Sequence, residues 1–213
     1  MQAGVIDYGG GNIRSLVKAL EALGAAPAMV TSPETLAPVD VLFFPGQGAF
    51  GDCMKKLERL GLSDPLRDWV REDRPFFGIC IGYQLLFEQS EESPGCRGLG
   101  VLEGRVKRLP SRDLKIPHMG WNSAELREPE TTPWQGLGSE PYFYFVHSYH
   151  PVPADRTLVA AETDYDGRFA SAVQRGGLVA TQFHPEKSQK AGLRLLENFL
   201  QTHASPAPSK SRP

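Results

Sequence analysis

Cys80 stands in Gly78-Ile79-Cys80-Ile81-Gly82, at the end of the apolar run Pro75-Phe76-Phe77. Gly-x-nucleophile-x-Gly between a strand and a helix is the nucleophile-elbow pattern, here with a thiol in place of the usual hydroxyl. The flanking glycines permit a tight reversal that lifts the side chain to the carboxyl end of a sheet, where open α/β sheets place their ligands. A helix N-terminus at the turn favours the thiolate. Such a nucleophile needs a base, and the base needs a group that holds its ring. His184-Pro185-Glu186 supplies both. In extended backbone, residues i and i+2 project to one side, and Pro185 keeps His184 out of the helical region and ends the strand there. Cys80, His184 and Glu186 are thus the candidate nucleophile, general base and orienting carboxylate, and the backbone N–H of Ile81 is the candidate oxyanion donor that elbows provide.

The other reactive residue types read as structural. His147 and His150 invite a metal reading, but their odd spacing puts them on opposite faces of a strand, so no shared ion is expected. His118 has no acidic neighbour and reads as structural or as part of an interface, while His203 lies near the chain's end. Cys53 and Cys96 lack the elbow setting and read as small core residues. Gly9-Gly10-Gly11 fails the dinucleotide spacing because Arg14 stands where the third glycine belongs. No metal and no cofactor are expected.

Residues 3–8 read as a short buried strand, followed by a helix in which Ile13, Leu16, Val17, Leu20 and Leu23 share a face, with Asn12 as N-cap and Gly24 as stop. Further strands are expected at 39–44 and 74–79, a helical stretch around 52–72, and a helix-like Leu85-Leu86-Phe87-Glu88 after the elbow. Alternating strands and helices imply parallel units buried on both faces. From about residue 99 the texture changes to short strand-like runs, with Asp166-Gly167 and Gly176-Gly177 as hairpin turns. A last helix, roughly 188–202, carries Leu193, Leu196, Phe199 and Leu200 on one face. The expectation is a single α/β domain over 1–202, with a mostly parallel central sheet flanked by helices and antiparallel strands added in the second half. Residues 203–213 are expected to form a disordered tail.

A chain of 213 residues buries enough apolar surface to need no disulfide or metal for stability. Its formal net charge of −2 gives no electrostatic reason to expect nucleic acid or anionic membrane as a partner. The N-terminus lacks the pattern of a signal peptide, and no stretch is apolar enough to span a bilayer. Three cysteines without a CxxC pair argue against a disulfide framework or a zinc site and suit a reducing cytoplasm.

Gly78-Ile79-Cys80-Ile81-Gly82-Tyr83-Gln84, followed by Thr181-Gln182-Phe183-His184-Pro185-Glu186, resembles the triad, or class I, glutamine amidotransferases. More narrowly, the blocks at 7–12, 45–50, 78–92, 117–122 and 142–150 together are similar to the glutaminase subunits of imidazole glycerol phosphate synthase, and the resemblance runs from residue 5 to about residue 200. It implies a flavodoxin-like amidotransferase fold and hydrolysis of glutamine to glutamate and ammonia through a cysteinyl thioester. It also implies delivery of the ammonia to a (β/α)8-barrel cyclase subunit of histidine biosynthesis, as a heterodimer. By the same resemblance Gly46, Gln47 and Gly48 form the oxyanion loop, where this chain has Gln47 and family members usually carry Val. Gly46, Gln84, Glu92, Ser148 and Tyr149 would hold the substrate, and Asn12, His118 and Trp121 would lie near the partner. The rival readings are a glutaminase for another synthase, such as the pyridoxal phosphate one, a stand-alone γ-glutamyl hydrolase, and a catalytically dead regulatory module.

Overall fold

The computed structural model describes residues 1–10, 13–110 and 113–204. Its first half contains β1 (Ala3–Ile6), α1 (Ile13–Ala22), β2 (Ala28–Val30), α2 (Pro33–Leu36), β3 (Val41–Phe44), α3 (Phe50–Arg59), α4 (Ser63–Arg71), β4 (Phe76–Ile79) and the single turn α5 (Ile81–Gln84). Then follow β5 (Gln89–Ser90), β6 (Gly104–Arg108), β7 (His118–Ser123), β8 (Glu125–Leu126), β9 (Tyr142–His147) and β10 (Tyr149–Pro153). Last come β11 (Val159–Asp164), β12 (Arg168–Arg175), β13 (Leu178–Thr181) and α6 (Gln189–His203).

The main sheet has eight strands in the order β2-β1-β3-β4-β13-β12-β11-β8. The first five are mutually parallel, and β12, β11 and β8 are added antiparallel. All residues of β1, β3, β4 and β13 are buried, which is why their sequences are continuous apolar runs rather than alternating ones. Successive side chains serve two different cores. Leu42, Phe44 and Phe76 pack with Phe50, Met54, Leu57 and Trp69 of α3 and α4 on one face. Val41, Phe43, Phe77 and Ile79 pack with Leu16 and Leu20 of α1 and Leu195, Leu196 and Phe199 of α6 on the other. Phe77 has the Phe199 ring edge-on at 5.0 Å, and burying a phenyl group of this kind contributes about 1.5–3 kcal/mol.

Several sequence expectations need correction. The helical stretch at 52–72 is two helices, broken where Gly61 takes a φ of +67° and lets α4 start in a new direction. The helix after the elbow is Ile81–Gln84, not Leu85-Leu86-Phe87-Glu88, because those residues bend away to meet the Leu99–Leu102 segment. The strand before His184 stops at Thr181. The 142–150 run is two strands in two sheets, β9 pairing with β7 and β10 with β6. His147 and His150 are therefore on separate strands, and among the described residues no cluster of three metal-ligating side chains occurs. In α6, Leu193 is only half-buried, and Leu195 takes its place in the core. The Asn12 cap and the stretch from 205 onward lie outside the described residues. Among the described residues no helix is long and apolar enough to cross a membrane.

The topology sets β1, β3, β4 and β13 side by side with their carboxyl ends on one edge. Cys80 follows β4 at φ +54°, ψ −104°, a strained backbone for a non-glycine residue, and functional sites commonly store such strain. The reversal works only because Gly82 has no side chain, since a Cβ there would run into the carbonyl group of Phe44 on β3. That neighbour is backbone inside the sheet and cannot yield cheaply. Gly82→Ala is expected to cost about 3 kcal/mol, lowering the melting temperature by roughly 6–12 °C in a chain of this size. Calorimetry showing an unchanged melting temperature would mean that the elbow is looser than described.

Candidate active site

His184 is held by its backbone before its ring does anything. Its N–H donates to the Tyr144 carbonyl at 2.9 Å, and its own carbonyl accepts from the Ser188 hydroxyl at 2.6 Å. Pro185–Lys187 then forms a 3₁₀ turn, so Glu186 reaches the imidazole around a turn rather than along an extended strand. The result is the pairing expected from the sequence: Nδ1 lies 2.8 Å from Glu186 Oε1, with both side chains almost wholly buried. Carboxylate contact at Nδ1 makes that nitrogen the proton donor and leaves Nε2 as the free ring nitrogen, in a residue that lines the same cavity as Cys80. Nε2 is buried with no hydrogen-bond partner among the described residues. Burial by itself would lower the pKa of this ring. The nearby Cys80 sulfur, then the Glu186 carboxylate, more than reverse that, and the pKa is pushed up to about 10. A protonated imidazole is the state this environment favours.

Cys80 is 8 % exposed, enough to open onto a cavity of about 170 Å³. The cavity is lined by Gln47, Gly48, Cys80, Ile81, Gln84, Glu92, Val146, His147, Ser148, Tyr149 and His184. Most of the residues expected around the substrate thus come together, from six separate stretches of chain. Gly46 does not join them. It lies behind the loop, where a Cβ would collide with the Tyr8 hydroxyl and with Cγ2 of Ile81, so its glycine is a packing requirement. Ile81 is the first residue of α5, and its N–H has no acceptor within the helix. Because α5 is a single turn, its contribution is these local N–H groups rather than a long helix dipole.

Each wall of the cavity is tied from behind. The Gln47 carbonyl accepts from the Tyr8 hydroxyl at 3.3 Å, with the Cys53 sulfur 3.9 Å away. Burial first, and the neighbouring Cys53 second, keep Tyr8 protonated and a donor. The Gln47 residue itself is exposed, so the loop is anchored through its backbone whatever side chain it carries. Glu92 caps α3 by accepting from the Phe50 N–H at 2.7 Å, which replaces the cap that Ala49 cannot provide. The Tyr149 carbonyl accepts from Gln84 Nε2 at 3.0 Å and from His147 Nδ1 at 2.9 Å. His147 in turn sits 3.1 Å from His118, and desolvation lowers the two pKa values to about 3 and about 4. Both rings are neutral. Tautomers follow: His147 Nδ1–H donates to Tyr149, leaving its Nε2 to accept from His118 Nδ1–H.

His118 is therefore corrected from an interface residue to a buried one, stacked on Tyr165 and Phe145 with its ring withdrawn from the surface. Trp121 is 47 % exposed on β7, and Met119 and Tyr142 stand on the same face of the two-stranded sheet. Tyr8, Cys53, Gln182 and Ser188 were missed in the sequence. The one available signal was polarity within apolar runs: Gln182 interrupts Leu178-Val179-Ala180-Thr181-Gln182-Phe183, a position where a polar side chain must find a buried partner.

Comparison with known proteins places these features. The class-I glutamine amidotransferase family model matches residues 4–202. The chain is 50 % identical over 200 residues to the imidazole glycerol phosphate synthase subunit HisH of Aquifex aeolicus, covering 93 % of this chain and 96 % of that one. With the HisH subunit of Syntrophotalea carbinolica it shares 47 % identity over 201 residues, covering 92 % and 97 %. A crystal structure of a glutamine amidotransferase superposes with a TM-score of 0.75 at 25 % identity, over 95 % of this chain and 99 % of that one. The chain belongs to the class-I glutamine amidotransferase family and, within it, to the HisH subunits.

Proposed function

We propose that this protein hydrolyses glutamine at Cys80 and supplies the ammonia to a synthase subunit that makes imidazole glycerol phosphate. The observation that carries the reading is the meeting of Cys80 with the buried His184–Glu186 pair in one cavity bordered by the Gln47-Gly48 loop. The Cys80 sulfur attacks the side-chain amide carbon of glutamine. His184 holds the thiol's proton and passes it to the departing ammonia, leaving a γ-glutamyl thioester. Water, deprotonated by His184, then cleaves the thioester and releases glutamate. Glu186 keeps the ring in its tautomer and stabilises the imidazolium. The N–H of Ile81 and those of the Gln47-Gly48 loop stabilise the oxyanion, at about 3 kcal/mol for each donor. Gln84, Glu92, Ser148 and Tyr149 orient the substrate. The catalytic unit is the single domain over 1–202, and its free thiols suit a reducing cytoplasm.

The exposed Met119, Trp121 and Tyr142 form an apolar face beside the cavity, and large exposed patches of this kind mark interaction sites. We assign it to the partner subunit, a (β/α)8-barrel cyclase in keeping with the resemblance. Trp121 lies against Tyr144, whose carbonyl holds the His184 N–H, so docking on this face reaches the base through one residue.

Cys80→Ala is expected to reduce glutamine hydrolysis at least 10³-fold while leaving synthesis from ammonium salts intact in the complex. Loss of both activities would contradict the division of labour. The raised pKa of His184 means that stability from its ion pair is fully present below the ring's ordinary 6.5 and is lost as pH climbs through about 10. NMR of labelled histidines should find His184 protonated at neutral pH, with a lower titration midpoint in Glu186→Gln. Wild-type titration near 6.5 would remove the ion pair from the scheme. Trp121→Ala should weaken partner binding by at least about tenfold in calorimetric titration, and unaltered affinity would place the interface elsewhere.

A further inference from the structure

We propose that Gln182 is a thiolate-holding residue, whose buried amide N–H is aimed at the Cys80 sulfur and stabilises it in its charged form. The inference rests on reading Cys80 as the nucleophile. Gln182 Nε2 lies 3.6 Å from Cys80 Sγ, a normal distance for a hydrogen bond to sulfur, and the side chain is wholly buried.

The direction of this amide is fixed by a chain of obligations. The Tyr149 carbonyl can only accept, so Gln84 must turn Nε2 toward it, at 3.0 Å. The same Nε2 lies 3.1 Å from the Gln182 side chain and has a second hydrogen to give. Gln182 must therefore present its oxygen to Gln84, and its own Nε2 is left facing the sulfur. Flipping Gln182 would set two donors against each other and place an oxygen on the nucleophile. Flipping Gln84 would oppose its oxygen to the Tyr149 carbonyl. The network has one satisfied arrangement, and it ends in a donor at Sγ.

Position supports the same conclusion. Cys80 and Gln182 follow paired residues of adjacent parallel strands, Ile79 opposite Thr181, and the Cys80 N–H donates to the Thr181 carbonyl at 2.8 Å. The Gln182 N–H is bound to Ser171 of β12, so its backbone is fixed on the opposite side. A neutral amide suits this task. It stabilises negative sulfur from below without competing with His184 for the proton, and hydrogen bonding to the charged form is one of the ordinary causes of a lowered thiol pKa.

The test is the pH dependence of iodoacetamide reaction at Cys80 in the full chain, read by mass spectrometry of the peptide that contains it. Gln182→Met keeps the length of the side chain and removes the donor. The midpoint of the reactivity curve is expected to move up by about one pH unit, a tenfold loss of thiolate on the acid side. Gln182→Glu, nearly isosteric and bringing negative charge to the sulfur, is expected to move it at least as far. Melting temperatures report whether each variant folds. A curve unchanged in a folded variant of either kind overturns the role of Gln182, even if turnover falls. Separately, if alkylating Cys80 in the wild-type chain leaves glutaminase activity intact, the reading of Cys80 fails and not merely that of Gln182.

Discussion

The parallel pairing of β4 with β13 is the contact on which the site depends. Register sets Ile79 opposite Thr181, so the residues that leave the sheet next, Cys80 on one strand and Gln182 to His184 on the other, emerge at the same level. About a hundred residues separate the two strands in the chain, and a sheet is what cancels that distance. A slip of one position in β13 would turn its side chains over and put Thr181 or Phe183 where Gln182 now meets the sulfur. β3, the other neighbour of β4, contributes the loop across the cavity and the Phe44 carbonyl against which the elbow turns.

Around this frame, most of the buried titratable rings are kept neutral. His118, His147 and His150 are all pushed toward the uncharged ring by desolvation, and Tyr8 toward the protonated phenol. His184 is the exception, because Cys80 and Glu186 flank it. Desolvation disfavours the charged form of each of these buried rings, and His184 escapes because its neighbours outweigh it. Burial that silences three histidines is overcome at the fourth by its neighbours.

The walls of the cavity are held from outside it. Tyr8 and Cys53 secure the Gln47 carbonyl, His147 and Gln84 secure that of Tyr149, and the Glu92 carboxylate doubles as a helix cap. The groups that line the cavity are thereby fixed in advance, which reduces the ordering that binding would otherwise require. None of these supports carries a motif of its own.

The sequence alone marked Cys80 in its elbow as the candidate nucleophile and paired His184 with Glu186, because those features are written in residues two to four positions apart. It also determined the class of fold, since β1, β3, β4 and β13 are unbroken apolar runs that only a sheet covered on both faces can bury. Only the tertiary structure decided that Glu186 approaches around a 3₁₀ turn, that His118 is withdrawn into an aromatic stack, that Gly46 stands behind its loop, and that Gln182 looks at the sulfur. Those outcomes depend on hydrogen bonds between strands that are distant in the chain. A donor's direction is set by whichever acceptor the fold brings within 3 Å or so, and no spacing along one segment can express that.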